Sequence, residues 1–174
     1  PFPHHLVTAF FGVACVPLMY VLGRRWFSPT IGLLASALLA ISQNHILFSR
    51  WGEGQTPSMF FTLSGVLVYD TTIRRGDSSY LPRILAGVLS GMVAVMHLSL
   101  FAFPLTLISL EILYTFRALK RKRDIRALWR LLLMGSSMAL PMFGFEGIVR
   151  VARLFLDDPS QLSSPMGMTF IDLL

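Results

Sequence analysis

Apolar residues fall in long blocks along this chain, with polar residues gathered in short clusters between them. Leu6 to Gly23 is almost uninterrupted apolar sequence and ends in Gly23-Arg24-Arg25, a glycine stop followed by cations that suit the negative end of a helix. Ser28-Pro29-Thr30 restarts the chain, and Ile31 to Phe48 forms the second block. Within it Gly32, Ser36 and Ala40 recur at every fourth position, a spacing that lets a neighbouring helix approach closely. The third block opens at Pro57, reaches Ile73 and stops at Arg74-Arg75-Gly76-Asp77. A helix needs roughly 17–25 apolar residues to cross the hydrocarbon core of a bilayer. Each block therefore predicts a membrane span, the first kinked at Pro17, where a backbone donor is missing.

The stretch from Ile84 to Phe116 is too long for one span and too short for two complete ones with a loop. It is interrupted at Met96-His97-Leu98-Ser99, with Pro104 following, and predicts two shortened helices meeting near His97. The first carries a Gly87-xxx-Gly91 packing face. Such a break has to satisfy its own backbone groups, so it faces protein or water rather than lipid. Arg117 to Arg130 reads as a basic loop with helical tendency, and Leu131 to Val149 as a further span containing Pro141. Gly147 to Leu156 mixes Arg150 and Arg153 with apolar residues, as an amphipathic interfacial helix does. The expected fold is all-α: a polytopic transmembrane bundle of about six membrane-embedded helices, with a broken hairpin near His97, forming a single region over residues 1–174.

Composition agrees with the pattern. Hydrophobic residues make up 54% of the chain and charged ones only 14%, against about 25% charged in soluble domains, and the mean hydropathy is +0.65. These charges cannot cover a water-facing surface. The net charge of +6 sits in the turns, so it marks topology rather than nucleic-acid binding. With Arg24 and Arg25 in the cytoplasm, alternation puts Arg50 and Glu53 outside, Arg74, Arg75 and Arg83 inside, His97 outside and Arg117–Arg130 inside. Every basic cluster then lies on one side, as the positive-inside tendency requires, with the last one against anionic headgroups. Cys15, the single cysteine, cannot form an intrachain disulfide and reads as a small packing residue. PFPHH lacks the basic n-region of a signal peptide, and the sequence reads as a fragment of a larger protein.

The polar residues at the outer face are the candidates for chemistry. Arg50 offers a planar donor fork suited to phosphate, and Glu53 and His97 would line the path of a bound substrate. The plainer reading makes Arg50 and Glu53 an interfacial pair anchoring a helix end. His45, after Asn44, reads as a hydrogen-bonded packing residue, and His4 and His5 as interfacial. The four histidines lack the spacing of a zinc site; the sequence names no cofactor, and a divalent metal is left open. Asp70 and Glu111 are acidic residues in apolar surroundings, functional candidates by default. Each lies within reach of a basic turn, so the expected pairings are Asp70 with Arg74 and Glu111 with Arg117. Glu146 and Arg150 have helix-surface i, i+4 spacing. No phosphate-binding glycine loop, HExxH or nucleophile elbow is present.

The stretch LVTAFFGVACVPLMYVLGRRWFSPTIGLLASALLAISQNHILFSRWGE resembles the polytopic C-type glycosyltransferases, particularly the bacterial relatives of protein O-mannosyltransferases and aminoarabinose transferases. The shared pattern is a small-residue helix ending in a basic pair before Phe, a Gly-Leu-Leu-Ala helix, and a Ser-Arg pair where the chain leaves the membrane. LAGVLSGMVAVMHLSLFAFPLTLISLEIL is similar to that family's broken segment, and the resemblance covers most of residues 6–130. It implies an enzyme that moves a sugar from a polyprenyl-phosphate-linked donor to an acceptor, whose identity the sequence leaves open, at the outer face of a bacterial or archaeal plasma membrane. Membrane lipids are the other partners, and nucleic acid is not one. It also implies a catalytic acidic residue in an outer loop upstream of Pro1, so none within this chain, with Arg50, Glu53 and His97 in donor-phosphate or substrate binding. The sequence departs from the pattern at Gln43, where proline is common, and at Glu53, where a basic or small residue is frequent. A membrane transporter, which also uses broken helices and buried charges, and a non-catalytic membrane scaffold are the rival readings.

Overall fold

A computed structural model describes residues 2–51, 54–74, 79–96, 102–122 and 125–155. Among these residues the chain forms seven helices and no strand: α1 (Phe2–Trp26), α2 (Pro29–Ile41), α3 (Gln43–Trp51), α4 (Gln55–Arg74), α5 (Leu81–Met96), α6 (Ala102–Lys122) and α7 (Arg126–Phe155). Leu6, Phe10, Val13, Leu33, Leu34, Leu38, Phe116 and Leu132 point outward, while Ser58, Arg83, Ser90 and Glu111 are buried. Arg83 is the largest fully buried side chain among the described residues. Leucine and phenylalanine on the surface, with charged and hydroxyl side chains buried among apolar ones, depart from the arrangement of a water-soluble protein and suit a lipid solvent.

Three helices are long and apolar enough to cross a membrane, His5–Trp26, Ala102–Lys120 and Arg126–Phe145, and a fourth span results if α2 and α3 are taken together. This is fewer than the six embedded helices expected. The third apolar block makes α4, but Thr56, Ser58, Asp70 and Thr72 give it too polar a character, and from Gly54 to Ile73 only Ile73 is exposed. It is an inner helix shielded by its neighbours. α5 has 16 residues, short for a full crossing. The break expected near His97 falls outside the described residues; α5 ends at Met96 and α6 begins at Ala102.

Two boundaries differ from expectation. The second block is bent by 56° between α2 and α3, because Ser42 adopts an extended conformation (φ −63°, ψ 119°) and its N–H bonds the Leu39 carbonyl in a tightened last turn. The Arg117–Arg130 segment is mostly helical rather than a loop: α6 continues to Lys122 and α7 starts at Arg126. α7 then runs unbroken for 30 residues, merging the expected span with the expected interfacial helix. Pro17 and Pro141 both lie inside continuous helices.

With α2 and α3 taken as one bent path, specific contacts fix which helix ends meet. At one end Arg25 of α1 pairs with Asp70 of α4 at 3.4 Å, in place of the expected Asp70–Arg74 pairing. Nearby Arg83 of α5 pairs with Glu111 of α6 at 3.1 Å, in place of Glu111–Arg117. Tyr69 of α4 donates to the same carboxylate at 2.9 Å, and Arg83 also donates to the Ser79 carbonyl. At the other end His5 meets Arg50, and a Cβ on Gly54 would collide with the Met96 carbonyl. The Glu146–Arg150 pairing involves side chains outside the described set.

Small residues set the closest helix approaches. A Cβ on Gly23 would lie 2.7 Å from the Gly32 Cα, and one on Gly32 2.6 Å from the Tyr20 carbonyl oxygen, so α1 and α2 touch backbone to backbone. Gly87 and Gly91 do the same for α5 against the Met134 and Met138 carbonyls of α7. Tyr69, Ala86, Leu107 and Met134 fill the core between α4, α5, α6 and α7. Without a hydrophobic drive between helices in lipid, this close packing and the interior hydrogen bonds are what hold such a bundle together.

Candidate functional site

The bend at Ser42 tilts α3 across the N-terminal half of α1. Gly12 permits the approach, because any Cβ there would overlap Ser49, whose own Cβ would lie 2.9 Å away. Ser49 Oγ donates to the His45 carbonyl at 2.6 Å, which keeps that hydroxyl satisfied on the apolar helix face. His45 Nε2 lies 3.1 Å from the Gly12 carbonyl. A carbonyl can only accept, so Nε2 carries the proton and Nδ1 of the neutral ring is left as an acceptor. One turn above, His5 Nδ1 donates to the Arg50 carbonyl at 2.5 Å, satisfying one of the free carbonyls at the end of α3. The packing role expected for His45 is therefore present, and it is a latch between α1 and α3.

Two cavities flank this latch. The larger, about 450 Å³, lies between α1 and the bent pair and is walled largely by Ala9, Val13, Val16 and Ile46, with His45, Ser49 and Arg50 its polar residues. The smaller, about 280 Å³, lies between α2, α3 and the first turn of α4. Ser42, Asn44, Gln55 and Thr56 are among its lining residues, but Leu39, Phe48 and Met59 keep most of its wall apolar. His45 borders both.

Arg50 is exposed at the end of α3 and borders the larger cavity. Glu53 and His97 lie outside the described residues. A mostly greasy cleft with one guanidinium at its end suits an amphiphile with an anionic head: the cation matches phosphate geometry, and the aliphatic wall matches hydrocarbon. Among the described residues no group of three His, Cys, Asp or Glu side chains is placed to hold a metal ion.

The family model for dolichyl-phosphate-mannose-protein mannosyltransferase matches residues 4–155. The chain belongs to that family. No curated protein and no solved structure gives a significant match. The matched region spans all seven helices except the first two residues of α1, so the all-α, apolar bundle is a membrane region of a mannosyltransferase-family glycosyltransferase. Of the two kinds of relative that the sequence resembles, the match falls on the mannosyltransferases.

Sequence reasoning missed Thr56 and the Arg83–Glu111 pair. Thr56 had a weak signal: a hydroxyl beside Pro57 in the first turn of a helix, at the end opposite the arginine clusters. Arg83 had a misleading one, since an arginine just after a turn reads as a topology determinant.

Proposed function

We propose that this region of the mannosyltransferase holds a dolichyl-phosphate-linked mannose at the outer face, with the isoprenoid in the larger cavity and the phosphate at Arg50. The observation that carries this reading is the placement of Arg50, beside Ser49 and His45, on a cavity of about 450 Å³ whose remaining walls are apolar. Transfer proceeds by attack of an acceptor hydroxyl on the anomeric carbon. The bond to phosphate breaks, and dolichyl phosphate leaves with an added negative charge. A fixed guanidinium stabilises that charge most as it develops, which is where electrostatic catalysis acts.

An acidic residue would serve as general base, and Glu53 and His97 would line the sugar or acceptor path. Arg24, Arg74 and the Arg117–Arg130 segment would lie in the cytoplasm. Replacing Arg50 by Ala in the full-length protein is expected to lower mannosyl transfer from dolichyl-phosphate mannose about 100-fold or more. Arg50→Lys, which keeps the charge but loses the fork, should recover only part. Transfer by Arg50→Ala at the parent rate, with normal membrane insertion, would remove Arg50 from the site.

A further inference from the structure

Arg117 to Arg130 is a single basic run in the sequence, and the fold divides it. Arg130 is drawn into the bundle, 5% exposed, while Arg117 and Lys120 stay exposed near the end of α6. The division follows helix periodicity. α6 turns Pro104, Leu107, Glu111 and Thr115 inward, and α7 turns Ala127, Arg130, Met134 and Ser137 inward, each at spacings of three or four. Thr115 Oγ1 donates to the Ala127 carbonyl at 3.4 Å, so the last turns of α6 and the first turn of α7 are fastened side by side. Their outward faces therefore adjoin, at the end of the bundle opposite Arg50.

These faces are layered. On α6 Leu113, Phe116, and then Arg117 and Lys120 follow one another toward the helix end; on α7 Leu132, Trp129 and then Arg126 do so toward its start. Phe116 is 65% exposed and Trp129 60%. From Leu113 to Lys120 the helix rises about 10 Å. Aliphatic, then aromatic, then cationic side chains over that distance follow one bilayer leaflet from acyl chain through interface to headgroup. A water-borne acidic partner would meet only the last layer, whereas a bilayer lipid meets all three. The protein itself leaves the outer layer uncompensated. Asp70 and Glu111, the acids described at this end, face inward to Arg25 and Arg83, and among the described residues no carboxylate pairs with Arg117 or Lys120.

We propose that the adjoining outward faces of α6 and α7 bind an acidic phospholipid, Arg117 and Lys120 holding its headgroup phosphate while Phe116 and Trp129 lie along the glycerol and upper acyl chains. The guanidinium fork matches a pair of phosphate oxygens, and the ammonium adds a second charge. This site is separate from the donor cavity and stands or falls independently of it.

Full-length protein in neutral detergent, titrated with short-chain phosphatidylglycerol, should gain thermal midpoint as a liganded native state does, and phosphatidylcholine should give little gain. A basic residue beside an anionic lipid surface is worth about 5-fold in binding, so Arg117→Gln combined with Lys120→Gln should need about 25-fold more phosphatidylglycerol for the same gain. Both side chains are exposed, so the lipid-free midpoint should stay at the parent's value. Arg117→Lys with Lys120→Arg keeps both charges and should keep most of the response. Arg24→Gln removes an exposed cation at the same end, but on α1, and should leave the response unchanged. Equal gains from the two lipids, or a double variant that responds like the parent, would overturn the site. So would an equal loss from Arg24→Gln, the mark of diffuse surface charge, or a response to dolichyl phosphate alone.

Discussion

Arg83 and Glu111, twenty-eight positions apart on different helices, meet at 3.1 Å with each side chain 1% exposed. Tyr69 completes the contact from a third helix, so one carboxylate ties α4, α5 and α6. Charges this deep are costly to desolvate and stable only while paired. Arg83→Ala or Glu111→Ala should each cost about 3–5 kcal/mol of stability, read as detergent unfolding midpoints. Arg83→Met combined with Glu111→Leu should lose much less than the sum of the two, because neither orphan charge remains.

Arg25 and Asp70 make the contrasting case. At 3.4 Å, with side chains 30% and 17% exposed, they are open to screening, and pairs of this kind contribute about 1 kcal/mol or less. Arg25→Gln should shift the same unfolding midpoint far less than Arg83→Ala does.

Gly91 should tolerate no side chain, since a Cβ would run into the Met138 carbonyl and lie 3.0 Å from the Pro141 ring, whereas Gly144 has nothing within 4 Å. Gly91→Ala is expected to push α5 from α7 and cost about 1–3 kcal/mol. Gly144→Ala should be neutral or slightly stabilising, as alanine is the better helix former. Equal effects at the two positions would contradict the packing described.

His45→Leu deletes the hydrogen bond from α3 to the Gly12 carbonyl, worth about 1 kcal/mol. Backbone amides of α3 should then exchange hydrogen faster, while those of α1 and α2, joined by Gly23 and Gly32, keep their protection. Unchanged exchange in α3 would deny His45 its latching role.

Sidedness is the proposed orientation, with the basic turns in the cytoplasm. A cysteine placed at exposed Trp51 should react with an impermeant maleimide in intact cells, and one at exposed Lys120 only after permeabilisation. Cys15 is buried and should contribute little background. Reaction at position 120 alone in intact cells would invert the orientation and move the donor site to the cytoplasm.

What could be read in advance was whatever is local to the chain. Arg24 and Arg25 fall in the last turn of α1 as expected, although α1 runs past the expected stop at Gly23 to Trp26; Ser28-Pro29 started a helix with Ser28 Oγ accepting from the Ile31 N–H, and block lengths separated α5 from α6. What could not be read depends on partners far away in sequence. Arg83 looks like any arginine beside a turn until α6 brings Glu111 to it. The bend at Ser42 carries no proline or glycine; its trace was Gln43, the position at which the family resemblance already departed from proline. α4 reads as a span from its phenylalanines and leucines, yet its hydroxyls and Asp70 are tolerable only because other helices surround it. The smaller cavity was illegible for a related reason: it needs the bend and the start of α4 at once.

The α1–α2 hairpin is fastened unequally along its length. Near Arg24 two glycine backbones touch, leaving no slack, while the opposite half is held through a pair of imidazoles. The end of the larger cavity near α3 is therefore closed by fewer backbone contacts than the end near Gly23 and Gly32. For the lipid-linked donor proposed above, that weaker seam would be the side on which a bilayer-borne chain meets least backbone.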